Sequence, residues 1–104
     1  MTVYIAGPMK GKPDLNRPAF MQAARELEAL GYKVLNPATL PMGIPEAKYL
    51  PICLAMVEAC DVIALLPGWE ASGGATIERA FADYQGKRAA SVSWLLGKDA
   101  SEWE

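Results

Sequence analysis

Glu78 is the residue of this sequence best placed to do chemistry. It follows Gly74 by one helical turn in the run Ser72-Gly73-Gly74-Ala75-Thr76-Ile77-Glu78, so on a helix its carboxylate projects over the space that a residue without a side chain leaves empty. Ser72, Gly74 and Ala75 add almost no bulk, and at a helix start their N–H groups are exposed, which leaves room for a ring beside the carboxylate. The competing reading is a solvated helical Glu, the usual fate of that residue type. Tyr4, within Val3-Tyr4-Ile5-Ala6, offers a phenol that points either toward the end of a strand or into a helix layer as a packed core residue. Trp69, after Pro67-Gly68, suits a stacking wall for a base and equally a cap on the core or a contact between subunits. Glu70 and Asp83 read as surface charges.

A second group gathers near the N-terminus. Gly7 and Gly11 free the backbone of Gly7-Pro8-Met9-Lys10-Gly11 to approach a ligand, and Lys10, Lys12 and Arg17 lie close by to meet an anion. A phosphate is the natural guest of such a loop; an ordinary turn with solvated charges is the alternative. No GxGxxG or P-loop pattern occurs, so the usual dinucleotide and ATP fingerprints are missing and no cofactor is expected. The chain has no His, which excludes Ser–His and Cys–His nucleophiles. The same absence leaves no nitrogen ligand for the usual zinc sites, so no metal is expected. Cys53 and Cys60 are the only cysteines; on one helix they stand about 10 Å apart, beyond the disulfide reach of about 7 Å.

The elements that must position these groups follow from periodicity. Val3-Tyr4-Ile5-Ala6 reads as a buried strand stopped by Gly7-Pro8. Phe20, Ala23, Ala24 and Leu27 mark one face of a helix that starts near Asn16 and Pro18 and stops at Gly31. Lys33-Val34-Leu35 is a second strand. The proline-dense stretch from Pro37 to Pro51 predicts a loop or lid, and Leu50, Cys53, Leu54 and Val57 a helix in which Pro51 is tolerated only in the first turn. Val62-Ile63-Ala64-Leu65-Leu66 suits a central parallel strand covered on both faces. A third helix is capped by Ser72, with Ile77, Ala80, Phe81 and Tyr84 as its expected buried face and Gly86 as its end. Lys87 to Val92 is a weaker strand, and the tail from 93 to 104 has no clear assignment. Alternating strands and helices imply a parallel sheet with right-handed crossovers. If strand one lies between strands two and three, ligands bind where the order reverses, outside the carboxyl ends of those strands. The loops there are Gly7 to Gly11 and Pro67 to Gly74.

At 104 residues and about half hydrophobic, the chain is expected to form one domain, 1–104. A core of that size leaves a modest stability margin, which favours self-association. A net charge of −2 and no long basic run argue against duplex nucleic acid and for a small ligand. No stretch approaches the roughly 20 apolar residues that span a bilayer, so no membrane partner and a cytoplasmic location are expected.

These residues also carry a family pattern. Tyr4-Ile5-Ala6-Gly7-Pro8-Met9, Asn16-Arg17-Pro18-Ala19-Phe20, Asn36-Pro37, Cys60-Asp61, Leu66-Pro67-Gly68-Trp69-Glu70 and Ser72 to Glu78 resemble a DUF4406-type protein. That group is similar to the nucleoside 2-deoxyribosyltransferases and the deoxynucleotide N-glycosidases. The resemblance runs from Tyr4 to about Lys87. It implies a small α/β domain of three layers, Rossmann- or flavodoxin-like, with a parallel sheet of about four strands. It also implies a homodimer or higher homo-oligomer, with sites completed by a neighbouring subunit. By this resemblance Glu78 is a nucleophile that attacks C1′ of a deoxyribosyl group, and Tyr4 orients it. Gly7, Pro8, Met9, Asn16, Trp69, Ser72, Gly74 and Ala75 are then expected around a nucleoside or nucleotide, with Lys10, Lys12 and Arg17 near a phosphate. A desolvated carboxylate can indeed stabilise an oxocarbenium-like transition state and trap it covalently.

One position departs from the pattern. Where the enzymes carry an Asp that assists the departing base, eight residues before Asp61, this chain has Cys53. A thiol is a weak donor, and near a helix N-terminus it would ionise more readily; the alternative is a small buried residue on an apolar face. The expectation is therefore an N-glycosidase or 2-deoxyribosyltransferase, set against a binding module that keeps the pocket without turnover. A purely structural role resting on Trp94 and Trp103 is the weakest alternative.

Overall fold

The computed structural model describes residues 1–103; Glu104, the end of the expected tail, lies outside them. Four strands, β1 (Thr2–Ala6), β2 (Lys33–Leu35), β3 (Val62–Leu65) and β4 (Arg88–Ser91), form one sheet in the order β2-β1-β3-β4. All three pairings are parallel, with Tyr4 in register with Leu35 on one side and Ile63 on the other. The fold is α/β and flavodoxin-like, and the strand order reverses between β1 and β3 as expected.

Strand alternation divides the core. Val3 and Ile5 face the layer of α1 (Arg17–Ala29), where they pack with Phe20, Leu27 and Leu95, the last from the short helix α4 (Val92–Leu95). Tyr4 and Ala6 face the opposite layer, α2 (Glu46–Ala59) and α3 (Gly73–Tyr84), and pack with Val57, Ile63, Ala75 and Ala82. Leu27, Ile5, Ile63 and Val57 have no exposure, so each stabilises the fold by about 1.5–3 kcal/mol of transfer free energy. At Gly7 the chain leaves β1 so close to β3 that a Cβ there would lie 2.7 Å from Leu66 Cβ. Only glycine permits that approach.

Three local expectations are corrected. The helix α2 begins at Glu46, so Pro51 lies in its interior rather than its first turn. Pro51 cannot bond the carbonyl of Ala47, but both residues are exposed and water can meet that oxygen. The proline-dense loop is correspondingly short, running from a 3-10 turn at Pro37–Thr39 to the start of α2. On α3 the buried face is Ala75, Glu78 and Ala82, whereas Ile77, Ala80 and Tyr84 are exposed and Phe81 is partly buried. The tail, unassigned from sequence, forms α4 and a 3-10 turn at Ala100–Trp103. It docks on the turn after α1 through the Trp103 indole, which donates to Tyr32 Oη at 2.8 Å, and through Ala100 N–H to the Leu30 carbonyl at 3.0 Å. Among the described residues no helix is long and apolar enough to cross a membrane.

Candidate functional site

A cavity of about 740 Å³ opens at the carboxyl ends of β1 and β3. Its walls are the loop after β1, the start of α3, and the segment from Pro37 into α2. Tyr4, Gly7, Pro8, Met9, Lys10, Lys12, Arg17, Ser72, Gly74, Ala75 and Glu78 all line it. Two other residues expected at the site do not. Trp69 packs against the α2–α3 side of the core, and Asn16 turns inward to donate from Nδ2 to the Pro8 carbonyl at 2.8 Å. Asn16 thereby holds the loop that carries Pro8 and Met9. It is presented by three consecutive left-handed residues, Asp14, Leu15 and Asn16, with φ of 52°, 53° and 59°. Such a turn is strained for Leu and persists only where the surroundings hold it.

Glu78 sits at the inner end of the cavity. Ser72 caps α3, its Oγ accepting from the Ala75 N–H at 3.2 Å, and fixes the helix so that Ala75, Glu78 and Ala82 turn toward the sheet. Glu78 is only 7% exposed and makes no ion pair among the described residues. Burial pushes its carboxyl up to about 7, although the Tyr4 hydroxyl and Cys53 thiol facing it offset part of the rise. Gly74, one turn earlier, has open space where a Cβ would stand.

Tyr4 is fully buried, and its hydroxyl has no hydrogen-bond partner of good geometry. The polar groups that bear on it are the Glu78 carboxylate and the Cys53 thiol; burial first, then the Glu78 charge, keeps the phenol protonated far above its ordinary range. An unpartnered buried hydroxyl costs about 1–3 kcal/mol, a cost that marks a polar site rather than core packing.

Cys53 has no exposure, and α2 holds it beneath Tyr4 and Glu78 in the middle of the helix rather than near its N-terminus. Burial pushes its thiol up to about 11. The expected easier ionisation is therefore corrected: Cys53 stays a thiol. It is free, as is Cys60. No three His, Cys, Asp or Glu side chains converge among the described residues.

Tyr49 was not legible as a site residue. It precedes Cys53 by one turn of α2 and brings its hydroxyl into the cavity wall, where it donates to the Pro37 carbonyl at 3.0 Å with Met9 Sδ at 3.5 Å. Burial raises its pKa, with Cys53 and Glu78 adding to the effect. Pro37 is itself fixed, because Asn36 Oδ1 accepts from the Ala38 N–H at 2.9 Å and caps the 3-10 turn. The signal was an i, i+4 pair, Tyr49 and Cys53, hidden by the reading of this stretch as a loop.

The mouth of the cavity is basic on one side. Lys12 and Arg17 line it, and Lys10 Nζ stands 3.9 Å from Glu46 Oε2 with both side chains highly exposed, a pair of little energetic weight. A smaller concavity of about 540 Å³ lies along β4, between Arg88 and the Trp94 and Trp103 rings. It holds none of the buried titratable groups.

The fold has a counterpart among solved structures. The 2-desoxiribosyltransferase from Leishmania mexicana superposes with a TM-score of 0.70 at 22% sequence identity, over 86% of this chain and 62% of that one. At that identity the likeness shows the fold, and this chain spans less than two thirds of that protein's length. No curated protein matches the sequence. Residues 1–90 match the family model described as a domain of unknown function, DUF4406, and the chain belongs to that family.

Proposed function

We propose that this protein cleaves the N-glycosidic bond of a deoxynucleoside or its 5′-monophosphate, as an N-glycosidase or a 2-deoxyribosyltransferase, with Glu78 as nucleophile. The observation that carries the reading is a carboxylate with no ion pair among the described residues, nearly buried at the inner end of a 740 Å³ cavity. The likeness to a 2-desoxiribosyltransferase supports a nucleoside as ligand.

The chemistry follows from the environment. A carboxylate stripped of water is poised against the positive charge that develops at C1′ as the base departs. The ionised Glu78 attacks C1′, the C1′–N bond breaks with its electron pair going to the base, and a glycosyl ester forms. Water or a second base then resolves the ester. With its pKa near 7, the carboxylate is about half ionised at neutral pH. Tyr4 holds its ionised form in place. A 5′-phosphate would meet Lys12 and Arg17 at the mouth, with Lys10 outside them. One domain over 1–104 and a cytoplasmic setting accord with this role.

The same chain is proposed to self-associate. The exposed stripe of Ile77, Ala80 and Tyr84 on α3 supports this, Tyr84 being 83% exposed, because a helix face of that kind ordinarily seeks a partner.

The binding-module reading draws on one specific feature, the protonated thiol of Cys53 where a proton donor of carboxylic acidity is expected. Incubation with a panel of deoxynucleoside monophosphates, with and without free bases, separates the two readings by base release. Release by the unmodified chain that Glu78→Ala abolishes supports catalysis. Equal inertness of both, with calorimetric binding of a nucleotide, supports the module.

A further inference from the structure

We propose that the Tyr49 hydroxyl is the hydrogen-bond donor to the departing base, a proposal that rests on the glycosidic reading of the Glu78 site. The argument is one of elimination among the polar groups around the cavity. Tyr4 lies wholly buried beside Glu78. Cys53 has no exposure and carries a weak donor. Ser72 keeps its proton while its oxygen caps α3, but it stands at the start of the same helix as Glu78, whereas an in-line displacement calls for a donor across the cavity from the nucleophile. Lys10 is turned to solvent beside Glu46 and Lys12 is exposed, and Arg17, whose charge bears on the Tyr49 phenol, is assigned with Lys12 to the phosphate. Tyr49 remains. It is partly buried, lines the same cavity as Glu78, and approaches from α2, the helix packed against α3.

Its present partner does not commit it. The hydroxyl proton rests on the Pro37 carbonyl at 3.0 Å, and rotation about the C–O bond redirects it into the cavity without moving the ring. The ring is held meanwhile by its packing against the α2–α3 side of the core. Burial keeps the phenol protonated through any working pH, so Tyr49 donates a hydrogen bond rather than surrendering its proton.

The electron and proton balance closes without a tyrosinate. Glu78 Oε attacks C1′, the C1′–N electron pair moves onto the base, and the base anion accepts the hydrogen bond from Tyr49. In the hydrolytic step water attacks C1′ of the ester and returns the electron pair to Glu78. The held base anion takes the proton of that water and leaves neutral.

A donor to the leaving group matters in proportion to how poorly that group leaves, and this gives the test. Tyr49→Phe is assayed on a purine deoxynucleoside monophosphate and on the p-nitrophenyl glycoside of the same deoxyribosyl group, whose phenolate departs without help. The expected result is a loss on the order of a hundredfold in kcat for the purine substrate, with KM little changed. The p-nitrophenyl substrate should change less than about threefold, which also shows that the variant is folded. An equal loss on both substrates, or none on either, overturns the proposal. Glu78→Ala separates the two claims: if it silences both substrates while Tyr49→Phe changes neither, the glycosidic reading stands and the role of Tyr49 falls. An unmodified chain inert on both substrates removes both.

Discussion

The Glu78 carboxylate and the Tyr4 hydroxyl face one another at the inner end of the cavity, 7% and 0% exposed, with no ion pair to Glu78 among the described residues. Each perturbs the other: the carboxylate charge raises the phenol, and the phenol draws the carboxylate back down. Burial dominates both, and Glu78 ends near neutrality rather than near its ordinary 4.5. A solvated helical Glu would show none of this.

The first consequence is in the pH dependence of turnover. Only ionised Glu78 attacks C1′, so base release should rise about tenfold per pH unit below 7 and level off above it. A pH–rate profile of kcat/KM checks this. A limb near the ordinary 4.5 would contradict the burial-raised Glu78 carboxyl as the attacking group.

Stability should run the opposite way. The folded state holds the Glu78 proton up to about pH 7, while the unfolded chain gives it up near 4.5. The native protein therefore binds more protons across that window and loses stability as pH rises through it, by about 3 kcal/mol in all. Above pH 7 the loss is complete and constant. Glu78→Gln removes it, and denaturant unfolding should show the variant more stable than the unmodified chain at pH 8, with the difference fading toward pH 4.5. A destabilised variant at pH 8 would contradict the assigned burial cost.

Tyr4→Phe separates packing from positioning. The hydroxyl is buried without a good partner, so its removal should leave thermal stability within about 1 kcal/mol or raise it. Turnover should fall by up to about a hundredfold as the carboxylate loses its orientation. The acidic limb should also move above 7, because the phenol holds the Glu78 pKa down. A limb that stays in place would mean that Tyr4 does not bear on Glu78.

The exposed α3 face gives a prediction about assembly. Sedimentation of the unmodified chain should give a mass above that of one chain, and Tyr84→Glu should shift it downward. A monomeric unmodified chain would contradict self-association.

Much of this was legible in the sequence, for reasons that differ by element. Strand β3 announced itself as an unbroken apolar run, and Gly7, Ser72, Gly74 and Glu78 were placed by turn and cap chemistry that acts over a few residues. The errors arose where tertiary burial overrode local pattern. On α3 the apolar Ile77 and Tyr84 marked a plausible inner face, yet the small Ala75 and Ala82 turn inward and carry Glu78 with them. Prolines hid the first turns of α2, and with them Tyr49. Pro51 is admitted there only because the carbonyl it leaves unpaired is on the water side. Asn16 and Trp69 matched the family pattern but serve the loop and the core, a distinction that depends on side-chain direction rather than residue type.

The central claim is that Glu78 bonds to C1′, and the most direct measurement is mass spectrometry of the protein quenched in acid during turnover of a deoxynucleoside monophosphate. The account predicts a deoxyribosyl 5′-phosphate adduct on the peptide bearing Glu78, formed with base release and lost in Glu78→Ala. Base release that continues in Glu78→Ala, or an adduct on another residue, would contradict it.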